Sequence, residues 1–244
     1  QIFIRSGKRV VSVSQPGKAV LEISERILRD VQNIKNIGSE FTDHDSGSLT
    51  IATTHTQARY ALPKIVAEFV KNYPKVNLTI KQGSPSAIAQ MVSSGEADLA
   101  IITERIDDHP ELGKLPCYEW NHAVIVPHDH PLLDCRNPLS LEDLASFPLV
   151  TYEFAFNSGS SIARTFNKAH IEQPDVALSA ADTDVLKTYV RLDLGVGLMA
   201  KMAYDPVVDQ DLQLIDAAHL FEPSPTWIAL RTDTYLRGYA YDFI

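Results

Sequence analysis

The spacing of apolar residues divides the chain into stretches of different character. Residues 1 to 17 hold two short strand-like pieces, IFIR and RVVSVS, separated by a turn at Gly7. Two strands of this length do not fold alone, so they read as the edge of another domain. Pro16 and Gly17 then punctuate, with Ser14 available as a cap. From Lys18 the period becomes helical: Val20, Ile23, Ile27, Val31 and Ile34 form a narrow apolar stripe that Leu21 and Leu28 widen. A helix over 18–38 would be about 30 Å long. Such a stripe fits either a helix packed on its own domain or an exposed linker helix that dimerises. The second fits better with the polar stretch TDHDSGS that follows it.

The body starts with LTIATT, which alternates as a strand should. A helical stretch ends in PKIVAEFVKNYP, with Leu62, Ile65, Val66, Phe69 and Val70 on one face and Pro74 as a stop. VNLTI is strand-like, Ser84-Pro85 is a helix start, and Gly95 is a helix end. DLAIIT has the continuous apolar character of a strand covered on both faces. This β-α-β-α-β succession predicts right-handed crossover units. The alternation then repeats. AVIVP, PLVTYE, VALSA and GVGLMA read as strands. LEDLASF, SSIARTFNKA and DVLKTYVRL read as helices, and LQLID and WIALRT close the chain. Two successive α/β units with a late return strand predict two lobes and a cleft. Ligands in such sheets sit beyond the carboxyl ends of the strands.

Composition narrows the classes. The 244 residues are 45% hydrophobic and 22% charged, which excludes disordered and collagen-like chains. No apolar run approaches the ~20 residues needed to cross a bilayer, and the first residues lack the order of a secretory leader. Two cysteines make no disulfide framework; Cys117 reads as packed and Cys135 as exposed. A cytoplasmic location is the simplest expectation. The net charge is −9, yet residues 1–21 carry Arg5, Lys8, Arg9 and Lys18 and no acid, leaving 18 basic against 31 acidic residues elsewhere. Only the N-terminal end therefore suits a polyanion.

Candidate chemistry concentrates at TTHTQARY. Thr54, Thr56 and Gln57 stand at a strand-to-helix junction, where hydroxyls and free backbone N–H groups can hold an anion without a buried cation. The alternative is that Thr54 or Thr56 only caps a helix. Thr103, at the carboxyl end of DLAIIT, points by the same geometry toward the cleft, and the loop FNSGSS supplies Asn157 and Ser158. Ser84 is a weaker candidate, for which the role of a helix cap fits better. Trp120, at the crossover between lobes, suits either the cleft wall or hinge packing. His128 and His130 flank Asp129 in a turn, which does not suggest a metal site. No Gly-rich phosphate loop, nucleophile elbow or paired-carboxylate signature is present. An enzyme is not expected, nor a metal or cofactor.

The stretches VSSGEADLAI, PHDHPL and LGVGLM, and more specifically IATTHTQARYALP, LPCYEWN, PLVTYEF, DVLKTYVRL and YDFI, resemble the LysR-type transcriptional regulators. Within that family they are closest to the regulators of cysteine genes. The resemblance covers essentially the whole chain. It implies a periplasmic-binding-protein-like effector domain of two Rossmann-like lobes, preceded by a linker helix and a remnant of a winged helix-turn-helix domain. The implied divisions are 1–17 for the remnant, 18–47 for the linker helix and linker, 48–118 with 224–244 for lobe I, and 119–223 for lobe II. The resemblance also implies that the matching threonines and glutamine hold a small effector: N-acetylserine or O-acetylserine, with sulfate or thiosulfate as competing anions. FNSGSS departs from the family's Thr-Gly-Arg-Ser, so Asn157 or Ser158 would replace the arginine's polar role. The implied partners are promoter DNA, reached through the N-terminal domain, and further copies of the chain, as a dimer or, when intact, a tetramer. A solute-binding protein for a small anion shares the fold, but the basic N-terminal end and the helical stripe speak against it.

Overall fold

A computed structural model describes residues 1–42, 44–103, 106–135, 138–171 and 174–244, without the side chains of residues 42 and 107. Strands β1 (Phe3–Ser6) and β2 (Arg9–Val13) form an antiparallel hairpin that turns at Gly7, where φ is +62°. Helix α1 (Gln15–Thr42) follows directly. It is longer than the apolar spacing predicts, at both ends. At its start, the Ser14 hydroxyl accepts from the Gly17 amide at 3.0 Å, and Pro16 sits in the first turn, where its missing N–H costs nothing. At its far end the helix runs through Gly38 because Glu40 is anchored by Arg237 at 3.0 Å.

The contacts of α1 combine the two readings of its stripe. The helix packs on its own domain, but through a polar row. Arg29 pairs with Asp233 at 3.2 Å, Asn33 bonds the Asp233 carbonyl and the Tyr235 amide, and Asn36 donates to the Tyr235 carbonyl. The apolar stripe faces away: Ile27 is 55% and Ile34 69% exposed. An uncovered stripe this long is the kind of surface that marks association.

The rest forms two five-stranded sheets. The first is built from β3 (Ser46–Thr53), α2 (Pro63–Asn72), β4 (Lys75–Gln82), α3 (Pro85–Ser94), β5 (Leu99–Ile102) and β6 (Leu112–Trp120). The second takes β7 (His122–Pro127), α4 (Leu141–Ala145), β8 (Leu149–Tyr152), α5 (Ser161–Lys168), β9 (Val176–Ala180), α6 (Thr183–Arg191), β10 (Val196–Ala200) and β11 (Leu212–Asp216). Strand β12 (Ser224–Arg231) and helix α7 (Gly238–Phe243) return to the first. The orders are β4-β3-β5-β12-β6 and β11-β7-β10-β8-β9. In each sheet the crossover strands run parallel, while the strand entering from the other lobe is antiparallel to its neighbours. The chain thus passes between lobes twice, at Asn121 and again between β11 and β12.

Alternation along the central strands gives the first sheet two separate cores, while the second lobe packs round one. In the first lobe, Leu49, Ile51, Leu99 and Ile101 pack with Phe69 and Phe243 on one face. Ala52, Ala100 and Ile102 pack with Ile88 and Val92 on the other. Some sequence expectations shift here. On α2, Phe69 is buried, as is Leu62 just before it, but Ile65 and Val70 are each 46% exposed. Strand β6 has no clear period in the sequence because it lies at the sheet's edge, where Pro116 is tolerated for lack of a ladder partner on its outer side. For the same reason Cys117 is exposed rather than packed, while Cys135 is half-buried.

Introducing a charge into the uncovered stripe tests its role. Ile27→Glu is expected to shift the chain toward smaller species in sedimentation velocity, without altering its circular dichroism.

Candidate functional site

Strand β3 ends in two threonines with different jobs. Thr53 is fully buried, and its hydroxyl bonds the Ile101 carbonyl at 3.1 Å, tying β3 to β5. Thr54 turns toward the cleft, its hydroxyl only loosely accepting the Gln57 amide at 3.4 Å. The chain then makes a wide π-type turn over Gln57–Ala61, closed by Leu62 N–H to the Gln57 carbonyl at 3.1 Å. The change of pitch to α2 falls at Pro63, which has no N–H to place in either pattern.

This turn aims Thr56 and Gln57 inward. The Thr56 hydroxyl lies 2.7 Å from that of Thr183 and 3.3 Å from that of Tyr152. Tyr152 and Thr183 are 3.0 Å apart, and the Tyr152 oxygen also accepts the Ala200 amide at 3.2 Å. All three side chains are buried, and they join the first lobe to the second. The Gln57 side-chain oxygen accepts a hydrogen bond from the Tyr118 hydroxyl on β6. Thr56 therefore caps no helix with its side chain.

The same turn carries a second tie on its outer side. Arg59 pairs with Asp184 at 2.6 Å, and the Tyr60 hydroxyl donates to Asp184 at 2.7 Å. Lys187, 2% exposed, reaches the Tyr60 oxygen at 3.2 Å and pairs with buried Asp209 at 2.6 Å, which Arg191 also contacts. Burial opposes the charge on Asp209, but the Asp205 amide, Lys187 and Arg191 together hold its carboxyl below the usual range. Burial and the bond to Asp184 push the Tyr60 phenol well up.

Thr54, Thr56, Gln57, Thr103 and Trp120 come together round one interlobe cavity of about 20 Å³. His122, Tyr152, Phe154, Ala155, Ile162 and Ala200 complete its wall. That is room for about one water molecule. Ser84, Asn157 and Ser158 are not there. They line a neighbouring cavity of about 260 Å³ that shares the Phe154 wall. Ser84 also caps α3, its hydroxyl accepting the Ala87 amide at 3.4 Å, so both of its readings hold. Thr103 and Ser158 border in addition a groove of about 660 Å³ that carries Lys114 and Arg164.

Among the described residues, no charged side chain lines the inner cavity. Its titratable groups are held neutral by burial, which pushes His122 down to about 4 and raises Tyr152; behind Gln57, burial likewise takes Tyr118 up to about 12. Hydroxyl, amide and indole dipoles are what such a site offers a small ligand. His130 accepts the Leu132 amide at 3.1 Å as the cap of a short turn. Among the described residues no three His, Cys, Asp or Glu side chains stand close enough to hold a metal.

The sequence reading does not include Tyr152, Thr183, His122 or the Lys187–Asp209 pair. One signal was available: Thr183, Leu186, Lys187 and Val190 form the buried face of α6, and a lysine on such a face requires a partner.

The two lobes, the cleft between them and the preceding helix define a two-lobed α/β binding-protein fold, and comparison with known proteins gives its family. Residues 42–244 match the LysR substrate binding domain. The chain belongs to the LysR family of transcriptional regulators, and this part is its effector-binding domain. It is 50% identical over 243 residues to the HTH-type transcriptional regulator SsuR of Burkholderia cenocepacia, covering all of this chain and 78% of that protein. It is likewise 50% identical over 244 residues to CysB of the same organism, covering all of this chain and 77% of that protein. Among solved structures, the cofactor-binding domain of the Cbl transcriptional regulator superposes with a TM-score of 0.74 at 41% identity. That match covers 81% of this chain and 86% of the other.

The outer tie makes a stability prediction. Asp184→Ala removes the second-lobe partner of Arg59 and Tyr60. Arg59 is largely exposed, so the loss resides mainly in the tyrosine's bond to a carboxylate, about 1.5–3 kcal/mol. Hydrogen exchange should show faster amides over 57–61 with little change in β10.

Proposed function

We propose that this chain is the sensing part of a transcriptional regulator of sulfur assimilation and cysteine biosynthesis genes. In this reading it binds an acetylated serine, with sulfate or thiosulfate as smaller competing anions, between the two lobes. It acts from the cytoplasm on promoter DNA through a winged-helix domain, as a dimer or, when intact, a tetramer, and carries out no catalysis.

The observation that carries this is the polar lining of the interlobe cavity: Thr54, Thr56, Gln57, Thr103 and the Trp120 indole converge with no charged residue among the described ones. Neutral donors in a closed site bind an anion through charge-assisted hydrogen bonds. They also suit the amide and hydroxyl of an acetylated serine. Similarity to SsuR, CysB and Cbl supports the sulfur assignment. The row that fastens α1 to the first lobe, Arg29, Asn33, Asn36 and Glu40, is expected in a regulator whose helix relays a change of state. Nothing in ligand capture for transport would need it.

The inner cavity is too small for an acetylated serine. Binding therefore requires the Thr56–Thr183 contact to part and the ligand to replace it, drawing on the neighbouring cavity lined by Ser84, Asn157 and Ser158. Calorimetry with N-acetylserine, O-acetylserine and sulfate tests the reading. Thr54→Ala combined with Thr56→Ala should remove two hydrogen bonds to a charged ligand, about 1.5–3 kcal/mol each, and so weaken binding by about tenfold or more per contact. Unchanged affinity in the double variant would refute the site.

A further inference from the structure

His122 occupies a place that the binding reading leaves unused. It is the first residue of β7, opposite Ala200 of β10, where the chain crosses from one lobe to the other. Its ring lies between Trp120, at 4.8 Å between centroids, and Phe221 of the return crossover, at 5.1 Å. It is 2% exposed and borders the inner cavity. Among the described residues, neither its Nδ1 nor the Trp120 Nε1 finds a hydrogen-bond partner, although both atoms are buried. A buried polar atom without a partner is costly. Two of them, side by side on the wall of one small cavity, point to a guest that supplies the missing partner.

We propose that His122 is the counter-charge of the anion site: the ring takes up a proton when an anion enters the interlobe cavity, so that anion and proton bind together. The inference rests on the cleft being an anion site, as argued above.

The surrounding charges leave this role to His122. Lys201, just past β10, is engaged by Asp216 of β11 at 2.6 Å. Glu222, next to Phe221, pairs with Lys168 at 3.2 Å on the surface. Glu119 on β6 is exposed, and Asp182 caps α6 by accepting the Asp184 amide at 2.8 Å. Tyr118 is bound to Gln57, and Tyr152 to Thr56 and Thr183. None of the charged groups lines the cavity. Burial alone pushes the imidazole down to about 4, so without an anion the ring is neutral at physiological pH. An anion beside it favours the charged form and raises that value. Binding then takes up protons between the raised value and about 4, and anion affinity increases as pH falls through that window.

Sulfate is the probe, because it remains a dianion across the range and contributes no titration of its own. Calorimetry from about pH 7.5 to about pH 5.5, in buffers of different ionisation heat, should show proton uptake with sulfate. The dissociation constant should fall with a slope approaching about tenfold per pH unit, the limit for one linked proton. His122→Gln should bind sulfate with a flat pH profile and no proton uptake. Imidazole nitrogen NMR of the unmodified chain provides an independent measure: the His122 resonances should move from the neutral to the imidazolium form on saturation with sulfate at about pH 6. Sulfate binding that is independent of pH, a His122→Gln profile as steep as that of the unmodified chain, or a ring that stays neutral when saturated would each overturn the inference and leave the anion site standing. Failure of sulfate to bind at any pH would remove the anion site, and this inference with it.

Discussion

Three buried hydroxyls hold the two lobes together, and the state of the cleft depends on them. Thr56 comes from the first lobe, Tyr152 and Thr183 from the second, and their oxygens lie 2.7 to 3.3 Å apart. Each such bond contributes only about 1 kcal/mol net, whereas a buried hydroxyl left without a partner costs more than that. The cleft is thus favourable closed, with its hydroxyls bonded to one another, or occupied, with a ligand providing the same bonds. An open, unfilled dry cleft is the unfavourable arrangement. The cavity of about 20 Å³ is what remains when the hydroxyls satisfy each other. In the proposed reading a ligand enters by exchange, so that the affinity measured is the difference between its bonds and those it replaces.

The outer tie supports this arrangement without touching the cavity. Asp184 takes Arg59 and Tyr60 from the wide turn, while Lys187 and Asp209 neutralise each other behind it. A buried ion pair is weak evidence for stability; here its position matters more, because it fixes α6 and therefore Thr183. At the other end of β3, Arg237 joins the Ser46 carbonyl to Glu40 of α1, and the Tyr239 hydroxyl bonds the Ser48 carbonyl. One strand thus runs from the anchored end of the linker helix to Thr54 at the cleft. That strand is the shortest covalent path from the interlobe cavity to the helix.

Much of this architecture was legible in the sequence, and the exceptions have physical causes. Alternation and capping residues mark most of the strands and helices because each satisfies its own local pattern, as Ser84-Pro85 does for α3 and Gly95, at φ +80°, for its end. The strand-to-helix junction at Thr54–Gln57 stood out because hydroxyls and an amide cluster there in the chain itself. Tyr152 and Thr183 did not, because their meaning lies in contacts 96 and 127 residues away from Thr56. No sequence pattern marks His122, because its burial between two aromatic rings of the crossovers is a tertiary fact. Strand β6 carries Pro116 and mostly exposed side chains, so no periodicity announces it. The helix α1 overran its apolar stripe because a polar row, not the stripe, fastens it to the domain.

The central claim is that a small anion replaces the Thr56–Thr183 contact inside the inner cavity. A crystal structure of the chain grown with sulfate tests it most directly. The account predicts sulfate oxygens within hydrogen-bond distance of Thr54, Thr56, Gln57 and Thr103, with the Thr56 and Thr183 hydroxyls separated beyond bonding distance of each other. Sulfate found instead in the outer groove beside Lys114 and Arg164, with the three hydroxyls still bonded to one another, would contradict it.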